Sequence, residues 1–464
     1  GRSVRVVYVF VAGPPDTRTE LHVRLHPGRP HVPTLAHLSF PAGRFEREMH
    51  DLHGIVPVGH PLPRRLVRHF HWPRGWYPMH PDAGPPPPFA EPEGPYPFLE
   101  VEGDGVYEIP VGPVHAGLIE PGHFRFSVVG ETIIKLKARL WFVHKGIEQL
   151  FAGRTPQSGL LLAERISGDT AVGHALAYCL AVEEAAAAEV PEQALRARAL
   201  LLELERLHNH VADLGALCND VGHSILNAHA QRVREHLLQL NQETTGHRLL
   251  RGGVFPGGAA LRRLPDLARV QALRTDIREI AQLALGHTTV RDRFTGTAHL
   301  TAEAARELGC LGYVARASGI TADARVAHPF HDYGTRLTIP VHTTGDVLAR
   351  FLVRAEEIDV SLDLIDHLAA TLAGPGTYGA ALAPESTGHN RPSSRSGVGI
   401  VEGWRGTITT RVELGPDGTL SRVKPADPSF FNWPALPVAL NATIVPDFPL
   451  ANKSFNLSYA GNDL

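Results

Sequence analysis

The chain has 464 residues, 43% of them hydrophobic and 20% charged, with a formal net charge of −3. That length exceeds one simple core and points to two or three domains, and the near-balanced charge leaves no electrostatic footprint for nucleic acid. Every long apolar segment is broken by Arg, Glu or His before about 18 residues, so no bilayer-spanning helix is expected and membrane association falls to partners.

The three cysteines, Cys179, Cys218 and Cys310, are far apart and odd in number, which fits a reducing compartment and argues against a disulfide framework or an all-cysteine cluster. The apolar run Val6 to Ala12 has no small-residue cleavage site after it and reads as a strand rather than a signal peptide. From Val4 to about Pro81, short apolar runs separated by Gly and Pro predict strands with a small helix, an α/β domain over residues 1–80. It contains Phe45-Glu46-Arg47-Glu48-Met49-His50-Asp51-Leu52-His53-Gly54-Ile55, then Gly59-His60-Pro61 and Arg64-Arg65. On the residues alone, Glu46 to Glu48 are a solvated helix face. The order and spacing resemble the signature of the small hydrophilic subunit of respiratory complex I, which implies a docking surface for a neighbouring subunit. Residues 81–97, eight of them proline, are stiff and extended and make a domain linker.

Residues 98–464 predict a larger domain, giving an α+β protein overall with a central helix bundle and flanking β-hairpins. Alternation around Gly130-Glu131 predicts the first hairpin. Leu200, Leu204, Leu207, Val211, Leu214 and Leu217 recur at helical spacing and mark the buried stripe of a long helix after Pro191. His208 and His210 sit two apart on it, point to different faces and fail as a chelating pair. A second helix around Gln231 to Thr245 ends at Gly246. Gly397-x-Gly399 lacks the third glycine and following helix of a dinucleotide fingerprint.

Arg165-Ile166-Ser167-Gly168-Asp169-Thr170, with His174 four residues on, organises this domain. With Glu120-Pro121-Gly122-His123-Phe124-Arg125, Trp141 to Glu148, Arg316, Asp323 and the tail Asn452-Lys453-Ser454-Phe455-Asn456-Leu457, it resembles the large subunit of energy-converting, formate hydrogenlyase-type nickel-iron hydrogenases. That family is related to the quinone-site subunit of complex I. The resemblance implies that Ser167, Thr170, Ser458 and Gly461 stand where the hydrogenases carry their four metal-binding cysteines, and that Gly168 stands at the quinone-holding tyrosine of complex I.

Four thiolates suit reduced nickel and iron, whereas Ser and Thr hydroxyls stay protonated at neutral pH and glycine offers no donor. Nickel-iron is therefore expected to be absent, hydrogen evolution is not expected, and a sulfur-reducing role finds no cysteine in the pocket. Glu120, His174 and Asp169 are the candidate catalytic residues. Glu120 has an alternative as a loop cap and His174 as a packed helix residue, and Arg316 with Asp323, which the resemblance places near the cavity, could equally form a structural ion pair. Arg165, Ser167, Gly168, Thr170, Ser458 and Gly461 complete the expected cavity.

The function the resemblance implies is a redox subunit that passes electrons from a partner iron-sulfur subunit to a quinone-like or other small acceptor, coupled to ion translocation. The alternative is a non-catalytic scaffold. The implied partners are an iron-sulfur small subunit, a ferredoxin-like iron-sulfur subunit, a membrane subunit of the quinone-channel type and antiporter-like membrane subunits. This chain would be cytoplasmic and peripheral on the inner face of the cell membrane, binding no cofactor alone.

Overall fold

The computed structural model describes residues 4–89, 96–115, 119–380, 382 and 395–464. Strands Val4–Ala12 and Thr17–Leu25 pair antiparallel, and Val6 and Leu25 join Val32 and Ile55 in a small apolar core. His31–Pro33 runs parallel to Val56–Val58, with helix Phe40–His53 between them. The helix starts where Ser39 accepts the Ala42 N–H beside Pro41, and stops at Gly54, whose φ of 73° suits a residue without Cβ.

The charged triplet on this helix is not the solvated face that its residues alone suggest. Glu46 is buried and accepts the Leu35 N–H at 2.6 Å and the Thr34 hydroxyl at 2.5 Å. Arg47 donates to the carbonyls of Arg64 and Arg65 at 2.9 and 3.1 Å. Glu48, also buried, pairs with Lys424 of the large domain at 2.8 Å. All three are spent holding the small domain together and fastening it to the rest. Residues 90–95 of the proline-rich stretch lie outside the described residues.

In the large domain each expected hairpin gains a third strand. One antiparallel sheet runs Val106–Val111, His123–Val129, Thr132–Arg139. The other runs Arg395–Gly403, Gly406–Leu414, Leu420–Ala426. Between them in sequence lie the helices Ala171–Ala186, Glu192–Asp220, Ser224–Thr245, Leu267–Gly286 and Val347–Thr371. One continuous apolar core links these elements, so the protein is α+β. At Gly397 and Gly399 an added Cβ would lie 2.2 and 1.9 Å from the carbonyl oxygens of Ala181 and Ala177. The two glycines let strand 395–403 lie directly on helix 171–186.

Helix 192–220 departs from a simple amphipathic reading. Its leucine stripe is buried as expected, but so are Arg198, Glu203, Glu205, Arg206, His208, His210 and Asp213 on its other faces. The helix runs through the middle of the bundle, and both of its buried arginines are matched internally: Arg198 meets Glu183 at 2.5 Å and Arg206 meets Glu203 at 3.1 Å. His208 Nδ1 lies 3.0 Å from the Leu204 carbonyl and His210 Nε2 lies 2.7 Å from Glu357, on separate sides.

Candidate functional site

The loop before helix 171–186 and the C-terminal tail meet. Ser167 Oγ donates to Asp169 Oδ1 at 3.0 Å and lies 2.8 Å from Ser458 Oγ. Because Ser167 spends its single proton on Asp169, Ser458 is the donor between the two serines. Ser458 Oγ in turn accepts the Gly461 N–H at 2.9 Å, which caps the short tail helix Tyr459–Asp463. Thr170 also donates to Asp169 Oδ1, at 3.0 Å. Asp169 is the hub: Arg405 grips both its oxygens at 2.7 Å, while Trp404 Nε1 donates to its carbonyl at 3.1 Å. Burial pushes the Asp169 carboxyl up, but the Arg405 guanidinium beside it overrides that and holds it well below the ordinary carboxylate range. The side chain is still 40% exposed. Next to it, Gly168 is exposed, and a Cβ there would meet nothing within 4 Å.

Behind the loop, His174 is fully buried, and its Nε2 meets Asp427 Oδ2 at 2.8 Å. Asp427 Oδ1 accepts the Ser429 N–H at 2.7 Å. Burial raises the Asp427 carboxyl, but the bond from His174 leads the influences that leave it below its ordinary value. His174 Nδ1 has no partner among the described residues. The same carboxyl crowds the tail: a Cβ at Gly461 would lie 2.5 Å from Asp427 Cγ and 2.6 Å from its Oδ2.

Other predicted residues are placed apart from this cluster. Glu120 is exposed and accepts the Ala460 N–H at 3.0 Å, at the start of the tail helix. Arg165 is half exposed and turns back to the Leu161 carbonyl at 2.8 Å. Arg316 and Asp323 lie in a buried ionic network. Arg316 meets Glu357 at 2.7 Å, Glu402 at 2.8 Å and Asp323 at 3.4 Å. Asp323 also pairs with Arg325 at 2.7 Å, and Arg325 with Glu203 at 3.1 Å. Burial disfavours the Arg316 charge, but Glu357 and the other carboxylates more than restore it and hold its pKa above the ordinary arginine value. The network approaches the loop through His210, whose Nε2 is 2.7 Å from Glu357 and whose ring lies 6.0 Å from that of Trp404. A separate cavity of about 330 Å³, lined by Arg18, Leu180, His328, Phe330 and Ile400 among others, includes none of the predicted site residues.

The sequence reading gave no role to Arg405, Trp404 or Asp427, which complete the cluster. The only signal was two short runs, Glu402-Gly403-x-Arg405-Gly406 and Asp427-Pro428-Ser429, whose partners lie about 235 and 250 residues away in the chain.

The donor set does not fit a nickel-iron centre. Of the four positions that the resemblance sets against the hydrogenase cysteines, three carry hydroxyls already committed to one another and to Asp169, and the fourth has no side chain and faces a carboxylate. Cys179, Cys218 and Cys310 are all buried, and burial pushes every one of these thiols up, against the thiolate form a metal needs. Among the described residues no group of three or more His, Cys, Asp or Glu is arranged to hold a metal ion. No helix among them is long and apolar enough to cross a membrane.

A helix bundle between two small sheets, with an arginine-led loop closed by a C-terminal tail helix and a small domain in front, defines the class that joins hydrogenase large subunits to quinone-site subunits of complex I. Residues 220–463 match the family described as "Respiratory-chain NADH dehydrogenase, 49 Kd subunit", residues 1–86 its "30 Kd subunit", and residues 145–219 "Nickel-dependent hydrogenase". The chain belongs to the family of the 49 kDa subunit of respiratory-chain NADH dehydrogenase and its formate hydrogenlyase-type relatives. It is 34% identical over 431 residues to "Formate hydrogenlyase subunit 5" of Escherichia coli (strain K12), covering 90% of this chain and 74% of that one. It is 30% identical over 420 residues to the C/D subunit of NADH-quinone oxidoreductase from Phocaeicola vulgatus, covering 85% and 80%. Among solved structures it is similar to a chain of "the membrane-bound sulfane sulfur reductase (MBS), an archaeal respiratory membrane complex", with TM-score 0.70, 25% identity, and 78% of this chain and 99% of that chain covered.

Proposed function

We propose that this chain is a redox subunit of a membrane-associated complex I-like or hydrogenase-related complex, passing electrons from a partner iron-sulfur subunit to a quinone-like or other small acceptor at the Ser167–Thr170 loop. The observation that carries this reading is Asp169, an arginine-held carboxylate kept 40% exposed beside the open position at Gly168. A pocket that had merely been discarded has no need of a fixed anion at its mouth and a buried His174–Asp427 pair behind it. In this reading Asp169 offers the acceptor a fixed charge and hydrogen-bond partner, His174 holds a proton, and Glu120 stands at the edge of the tail. Arg165, Ser167, Thr170, Ser458 and Gly461 border the site, and Arg316 and Asp323 anchor it from the buried network. The loop faces the iron-sulfur small subunit, a ferredoxin-like iron-sulfur subunit supplies electrons, and membrane subunits of the quinone-channel and antiporter-like types move ions. The chain itself is peripheral on the inner face of the cell membrane.

A specific observation favours a second reading, a non-catalytic scaffold. The Ser167–Ser458 bond and the Asp427 carboxyl against Gly461 fill the old ligand positions with the chain's own atoms.

Gly168→Leu separates the two readings, because a side chain there enters open space and leaves the fold intact. In the purified whole complex, electron delivery to a soluble quinone analogue, and in a parallel arm to polysulfide, is measured for the parent and the variant. Loss of about tenfold or more in one arm supports delivery at the loop. Unchanged turnover in both arms, with the complex intact, leaves the scaffold.

A further inference from the structure

Helix 171–186 begins without a cap of its own. Thr170 stands at the N-cap, but its hydroxyl makes no capping bond. It is turned instead to Asp169, and it accepts from Trp404 Nε1 at 3.1 Å and Arg405 Nη1 at 3.2 Å. The open amides of the first turn are served from a neighbouring helix: Glu205 accepts the Val172 N–H at 2.7 Å through Oε2 and the Gly173 N–H at 2.9 Å through Oε1. Glycine at 173 leaves room for this, since an added Cβ would come within 3.4 Å of Glu205 Oε1 and 2.8 Å of Ile408 Cδ1. Glu205 is 2% exposed and forms no ion pair among the described residues. Arg206, next to it on the helix, is committed to Glu203 and to the carbonyls of Glu402 and Gly403. One turn on, Asn209 Nδ2 donates to the carbonyls of Glu205 and Asp169 at 3.0 and 2.9 Å, tying the same helix face to the loop.

We propose that Glu205 is a proton-binding positioning residue, whose ionised form caps helix 171–186 and whose protonated form releases one of its two amides and so resets the Ser167–Thr170 loop. The step is a simple proton uptake from solvent. One carboxylate oxygen gains a proton, becomes a donor and gives up either the Val172 or the Gly173 N–H, while the other oxygen remains an acceptor. The charged groups that act on it are Asp169, from the loop packed against it, and Arg206, from its own helix, with Arg405 neutralising Asp169 from the 406–414 side. Burial leads, the two amides oppose it, and the like charge of Asp169 adds to it, so the Glu205 carboxyl is pushed up to about 8. The two forms are thus balanced near pH 8, with the protonated one ahead by about tenfold at pH 7, and negative charge arriving at the loop favours the protonated one further. That functional consequence rests on the loop being the acceptor site, whereas the proton switch itself does not.

The test uses the full purified chain and needs neither acceptor nor partner. Infrared titration from about pH 6 to 9 follows the protonated-carboxyl band, and the fluorescence of Trp404, identified by its loss in Trp404→Phe, follows the loop. The expected result is a carboxyl band that disappears with a midpoint near pH 8, matched by a Trp404 transition, with both absent in Glu205→Gln. Asp169→Asn removes the like charge and shifts the midpoint to lower pH, which keeps the proposal testable if Glu205→Gln does not fold. A component with its midpoint near pH 8 that survives in Glu205→Gln, no such component in the parent, an unshifted midpoint in Asp169→Asn, or a Trp404 signal indifferent to Glu205 each overturns it, a separate component near pH 6 belonging to Asp463. If Gly168→Leu leaves quinone and polysulfide turnover both unchanged while this titration behaves as described, the acceptor-site reading falls and the switch stands.

Discussion

Gly461→Ala asks directly how tightly the C-terminal tail is packed against the Asp427 carboxyl. The glycine is not in the left-handed region, so the backbone tolerates alanine and space alone decides. The new Cβ would sit 2.5 Å from Asp427 Cγ, where ordinary contact begins at 3.4 Å. The carboxyl would therefore have to retreat by about 0.9 Å. Its Oδ2 is 2.8 Å from His174 Nε2, and a retreat of that size breaks the bond. If Asp427 holds its place, overpacking costs about 1–3 kcal/mol. If it moves, a buried charge-assisted bond worth about 1.5–3 kcal/mol is lost. Either cost exceeds the roughly 0.5–1 kcal/mol that alanine returns relative to glycine within a helix, so a net loss of about 1–2 kcal/mol is expected. Urea unfolding of the purified chain measures it, and the double mutant with Asp427→Ala supplies the control. With the carboxyl gone, Gly461→Ala becomes neutral or better, giving a coupling of about 1 kcal/mol or more. A Gly461→Ala chain as stable as the parent, or one equally destabilised in both backgrounds, refutes the reasoning.

Arg405→Gln tests what holds Asp169 ionised. The depressed carboxyl contributes stability that is present above the ordinary carboxylate pKa and lost as pH falls through its folded value. Removing the guanidinium abolishes that contribution, so in a thermal-unfolding series the variant is less stable than the parent at neutral pH and the gap narrows as pH falls below about 4; a gap independent of pH contradicts the assignment. Asp463 behaves oppositely. Burial pushes its carboxyl up to about 6, so its folded form favours the proton and the wild-type chain loses stability as pH rises through that value. Asp463→Asn removes this slope: the variant gains on the parent as pH rises from about 4 to about 6, and the difference is constant on either side of that window. Parallel profiles for the two chains across that window tell against the shift.

Much of the scaffold was legible because local patterns and family motifs agreed. The leucine spacing from Leu200 to Leu217, the Gly130 turn and the Gly246 stop each mark the element that forms. What local pattern could not reveal was the fate of charges. Glu46, Arg47 and Glu48 look like a solvated face because i,i+1 neighbours give no hint of Lys424, which lies about 375 residues away. The polar faces of helix 192–220 likewise read as surface until the surrounding elements enclose them. In the site, Ser167, Asp169, Thr170 and Ser458 were found from the resemblance and do converge. Arg405 and Asp427 were not given roles, because each acts through one long-range bond whose partner no spacing rule names.

The most direct test of the reading that this site holds no nickel-iron centre is the nickel content of the intact complex purified under reducing, anaerobic conditions, set against the amount of this chain. With the Ser167, Thr170 and Ser458 hydroxyls committed to one another and to Asp169, and Asp427 close to Gly461, nickel is expected far below one atom per chain, with iron attributable to partner clusters. One nickel per chain, bound between the Ser167 loop and the Ser458 tail, would contradict it.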